Sequence, residues 1–216
     1  MYLMVSEKLF VITKFQFKLI LMANFALAVV LCLLTPFMFG VRYLDSYGSS
    51  FILERFISLI GIILLTPLFM PEQDKNIAEL VQSKRTEHIL TIFLRLVISL
   101  LFMMFCIAIM AAVMRFLQCE FETVKFIMGT FATALCLGAI GFAFHAITNN
   151  IVIGYLAAFA YYLLNFALGI RLKNMYMFSL ARDSINEKYW LFGLGVLLLS
   201  VSLLWKNIAA KTSLYK

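Results

Sequence analysis

Six apolar runs, each near the roughly 20 residues that carry an α-helix across a hydrocarbon layer, take up most of this chain and leave most of its charges in the breaks between them. Folded in water, such runs would still need a charged exterior, yet 64% of the residues are hydrophobic and only 13% are charged. A soluble fold of that composition would expose one continuous apolar patch. The chain therefore reads as an all-α polytopic membrane protein, a single membrane domain over residues 1–216. The formal net charge of +7 suits contact with the anionic headgroups of membrane lipids. It does not suit nucleic acid, because the Lys and Arg residues are scattered along loop edges.

The apolar pattern places six spans. Residues 1–18 mix apolar side chains with Glu7, Lys8 and Lys14 and are expected to lie along the headgroup layer as an amphipathic helix. Residues 19–70 hold the first two spans, about Leu19–Phe39 and Phe51–Met70, with Glu54 and Arg55 near an interface where they can snorkel to the headgroups. A charged loop, 71–88, follows. Residues 89–170 hold the next three spans, about Ile89–Met114, Phe126–Ala146 and Ile151–Ile170, and the tight turn at Thr148, Asn149 and Asn150 makes the fourth and fifth antiparallel neighbours. A mixed outer segment, 171–188, is expected to hold an interfacial or re-entrant helix. The last span, 189–205, lies between Trp190 and Trp205, and a basic tail, 206–216, ends the chain.

Six spans put both termini on one side, together with the 71–88 loop. Ten of the Lys and Arg residues fall to that side and eight to the other, a bias that favours cytoplasmic termini in a multi-pass protein of the cell membrane. Three of the four cysteines, Cys32, Cys106 and Cys136, lie within spans, and none of the four has metal-like spacing; they read as packing residues.

Polar residues inside spans mark close packing or function. Ala134, Gly138, Gly141 and His145 share one stripe of the fourth span, and Gly154, Ala158, Tyr161, Asn165 and Gly169 share one of the fifth. Small residues at that spacing let helix backbones approach in lipid, which predicts the fourth span against the fifth. Asn165 needs a partner, expected from another helix, and Thr91, Arg95 and Ser99 form a polar stripe at the start of the third span. Arg95, Ser99, His145, Tyr161 and Asn165 are thus candidates for lining a path or for packing. Motifs for intramembrane chemistry are missing: there is no HExxH, no GxSxG, no Walker A pattern and no acidic pair in mid-span, and only His88 and His145 supply imidazole. The chain reads as a non-enzyme that holds no metal and no cofactor.

The stretch Pro71–Thr86, PEQDKNIAELVQSKRT, concentrates charge between two apolar runs. As a helix it carries Ile77, Leu80 and Val81 on one side and Asp74, Lys75, Glu79 and Gln82 on the other, so it is expected to be a short amphipathic helix on which a soluble partner docks.

Extended to Val97, this stretch resembles the segment between spans two and three of ABC transporter permeases of the six-span exporter type: an acidic residue, a short helix with leucine, then a serine and basic turn. The rest of the layout is similar to that family more diffusely, and the glycine often found in the family's loop is replaced here by Lys75-Asn76-Ile77-Ala78. The resemblance implies a permease paired with a second permease subunit, identical or related, and bound to cytoplasmic ATPase subunits that hold the ATP and Mg. Glu72, Asp74, Ile77, Glu79 and Leu80, with Val81, Lys84 and Arg85 beside them, would form the cytoplasmic coupling helix. A reading from another class is a membrane-embedded immunity or sensor protein that binds a peptide and transports nothing.

Overall fold

In a computed structural model, the structure describes residues 22–72, 85–182 and 184–212. The expected interfacial helix at 1–18 lies outside these residues. So does the body of the expected coupling helix, including Asp74, Ile77, Glu79, Leu80, Val81 and Lys84, while Glu72 and Arg85 mark its two backbone borders.

The described residues form helices joined by short connections, with no strand among them. Six of the helices are long and apolar enough to cross a membrane: Met22–Phe39, Ser46–Met70, Ile92–Phe116, Thr123–Thr148, Ile151–Met175 and Asn186–Ile208. They alternate in direction. One end of the bundle, here the near end, carries the borders of the charged loop, the turn at Asn149 and Asn150, and the exit of the sixth span. The far end carries 40–45, 117–122, 176–182 and 184–185.

The second and fourth spans form the centre: of the apolar 18-residue stretch of each, 72% and 78% is buried, against 11% to 39% in the other four. Glycine is the reason they can. A Cβ on Gly61 would run into the backbone of Ala134, and one on Gly138 would run into the carbonyl of Gly61. Gly141 faces the Thr66 side chain, and a Cβ on Gly154 would lie 2.7 Å from the carbonyl oxygen of Gly141. The small-residue stripe of the fourth span therefore meets the second span, which was not expected, and the fourth also packs along the fifth as expected, with Gly154 against Gly141 and His145 and with Ala158 in one buried cluster with Cys136 and Leu137. With hydrophobicity unable to drive helix association in lipid, this close backbone contact is one of the forces that hold the centre.

The second span is not one continuous helix. Asp45 caps its start by accepting from the Gly48 N–H at 2.8 Å. The helix then gives way to a 3-10 turn at Ile57–Leu59, where the Ser58 hydroxyl donates to the carbonyl of Glu54, resumes over Ile60–Leu65, and tightens into a second 3-10 stretch at Thr66–Glu72. Pro67 explains the second change, since it has no N–H to continue the ladder. The turn between the fourth and fifth spans forms as expected: Asn149 is left-handed (φ 52) and its N–H donates to the His145 carbonyl at 3.0 Å, while the Asn150 side chain caps the next helix at the Val152 N–H.

Candidate functional site

At the far end the chain re-enters the bundle. The helix of the fifth span stops at Leu168, where Gly169 has a positive φ of 51, and a 3-10 stretch, Gly169–Met175, carries the chain outward. Residues 176–179 are non-helical, and Met177, Phe178, Ser179 and Leu180 are all buried. Irregular backbone at such a depth is tolerated only where protein groups satisfy its N–H and C=O groups. Here side chains from four spans do so.

Asn165 accepts from the Met177 N–H at 2.9 Å and donates to the Tyr161 carbonyl at 3.0 Å, and the Tyr161 hydroxyl donates to the Met175 carbonyl at 2.8 Å. Asn165 therefore serves the re-entrant backbone, not a neighbouring helix. From the sixth span, Lys188 donates to the Met177 carbonyl and, at 2.8 Å, to the Thr133 hydroxyl of the fourth span. From the second span, the Glu54 carboxylate accepts from the Leu180 N–H at 3.1 Å, and the Ala181 amide faces the same group. Glu54 and Lys188 close the set as an ion pair, 1% and 4% exposed at their side chains.

Glu54 is thus no snorkelling residue, and Lys188, expected to end the outer segment, lies inside the sixth helix, buried against Glu54. Two charges out of water cost several kcal/mol each, which is tolerable only because each also holds backbone or hydroxyl partners. Beside them the Arg55 guanidinium lies over Phe51, Phe166 and Phe178 at 4.4, 5.1 and 5.2 Å from the ring centres, and Tyr162 donates to the Arg55 carbonyl at 2.8 Å. Burial pushes the Tyr176 phenol above its ordinary value, so it stays protonated where its ring edges onto Phe178.

At the near end three spans grip the last turn of the second. Arg95, 5% exposed, donates through Nη1 to the Leu68 carbonyl at 3.1 Å. His145 Nδ1 lies 2.6 Å from the Thr66 carbonyl, which only accepts, so that nitrogen carries the proton. The Phe69 ring stacks on Phe142 and edges onto His145, and Lys206 of the sixth span lies 5.1 Å over the same ring while donating to Asn149 at 2.6 Å.

The five candidates drawn from the sequence therefore separate. Tyr161 and Asn165 belong to the far-end segment, Arg95 and His145 to the near-end grip, and Ser99 is buried with no hydrogen-bond partner among the described residues. Glu54, Lys188 and Thr133 were not singled out. The available signal was a pair of opposite charges, one inside an apolar run and one at the mouth of another, on the same side of the bundle.

Replacing Asn165 by Ala leaves the Met177 N–H unpaired and is expected to cost about 1–2 kcal/mol. For a chain of this length that is a fall of about 2–4 °C per kcal/mol in a thermal melt in detergent. An unchanged melt would mean that the amide has another partner.

No protein-family model, no curated protein and no solved structure matches this chain.

Proposed function

We propose that this chain is the membrane-spanning permease subunit of an ATP-driven exporter of the ABC class, forming the translocation path with a second permease subunit and driven by separate cytoplasmic ATPase subunits. One observation carries the proposal. The charged loop that resembles a coupling helix leaves the second span at a turn gripped by Arg95 of the third span and His145 of the fourth, with Lys206 of the sixth over its Phe69 ring. A pull on that loop is therefore a pull on four spans at once. Spans so joined respond to a docked motor by moving between discrete packings, as coupling to ATP binding requires. The near end, with both termini, then faces the cytoplasm. The exposed apolar faces of the first and fifth spans are left to lipid and the second permease subunit.

In this reading Ile77 and Leu80 seat in a groove on the ATPase, with Glu72, Asp74, Glu79, Val81, Lys84 and Arg85 around them. Purified from its own cells in mild detergent, the chain should carry an ATP-hydrolysing subunit with it. The double substitution Ile77→Asp and Leu80→Asp should weaken that association about a hundredfold, because two buried apolar anchors become unpaired charges. Isolation of the native chain free of any ATP-binding subunit would sink the proposal.

A further inference from the structure

The geometry points to the re-entrant segment, 176–182, as a releasable strap across the far end, with Glu54 and Lys188 as its clasp and the second span as the rod that links it to the charged loop. The strap has no helical ladder over Tyr176–Ser179 and is seated by side chains of other elements: Asn165, Thr133 and Lys188 at Met177, and Glu54 at Leu180. Such bonds form or break together when the spans that supply them shift. Glu54 and Lys188 sit on different spans, the second and the sixth, so relative movement of these two acts directly on the clasp.

The strap also has somewhere to go. Leu180 and Ala181 border a recess of about 630 Å³, lined further by Asp45, Tyr47, Phe121 and Glu122. At the near end, the same two spans that carry the clasp meet again, through Lys206 and Phe69. Displacement of the loop root therefore reaches Glu54 through the second span and Lys188 through the sixth.

The clasp stands on the structure alone, whereas its control by the loop rests on the exporter reading. Ser179 is a suitable reporter: it is 1% exposed and its hydroxyl has no hydrogen-bond partner among the described residues, so Ser179→Cys removes no bond. With the four native cysteines replaced by Ala, position 179 should react slowly with a membrane-impermeant maleimide in the full-length chain. Glu54→Gln keeps an acceptor for the Leu180 N–H but discharges the clasp, and it should speed labelling at least about tenfold. Tyr43→Cys, at an exposed site, should label at one rate in both backgrounds. Equal labelling at position 179 with Glu54 or Gln overturns the clasp.

In the complex with the ATPase, ATP should change the labelling rate, and Ile77→Asp with Leu80→Asp should abolish that change. Labelling that responds to Glu54→Gln and ignores nucleotide leaves the clasp standing and removes its link to the loop.

Discussion

Lys188→Met should destabilise the protein by about 3–5 kcal/mol, because it strands the Glu54 carboxylate in a site with 1% exposure and no counter-charge. Met fills much of the volume of Lys, so the loss is electrostatic and not a cavity effect. The Met177 carbonyl and the Thr133 hydroxyl lose a donor at the same time. The double variant Glu54→Gln with Lys188→Met separates these contributions. It removes both charges and keeps an acceptor for the Leu180 N–H, and it should recover more than half of the loss. Unfolding in detergent across a denaturant series, read by the circular dichroism of the helices, measures all of these proteins. If the double variant were no more stable than Lys188→Met, the pair would not be the source of the cost, and the far-end segment would be held by its apolar side chains alone.

How much of this was legible in the sequence follows from what each residue is asked to do. The spans were legible because apolar runs must be long enough to cross lipid. Their borders were not. The second span begins at Ser46, ahead of its apolar run, because Asp45 caps the helix and Ser49 and Ser50 are buried in it. With its start misplaced toward Phe51, Glu54 looked interfacial when it lies more than two turns into the span. Lys188 was hidden for the matching reason, since the sixth helix starts at Asn186 and takes in a charged turn before the apolar run.

Asn165 was recognisable as a polar group in need of a partner, but the partner is extended backbone, and a segment without period leaves no trace in hydropathy. Thr133 was masked further by its bond to the Gly129 carbonyl, the ordinary way for a threonine to satisfy itself in a helix. The glycine stripe announced a close approach and the fifth span as a neighbour, but not the second: spacing fixes which face is narrow, and only the packing of six spans decides what else fills it. The amphipathic helix that the charged loop is expected to form lies outside the described residues, so its role is carried by its resemblance and by the grip on its root.

Gly61→Ala should lower stability by about 3 kcal/mol, the upper part of the range for overpacking, although helix propensity alone favours Ala by about 1 kcal/mol. The added methyl would meet the backbone of Ala134, and a backbone clash cannot be relieved by a change of rotamer. The second and fourth spans would have to part along the length that Gly61, Gly138 and Gly141 share. Gly193 provides the comparison within the same molecule. A Cβ there has nothing within 4 Å, and the residue lies inside the helix of the sixth span, so Gly193→Ala should be neutral or stabilising by about 0.5–1 kcal/mol. Opposite signs for the same substitution in one chain can come only from what the methyl meets. Thermal melts of the two variants beside the parent decide the matter: if both gain stability, the central spans lie farther apart than their glycines imply, and the second span loses the rigidity that would let it carry a displacement from one end of the bundle to the other.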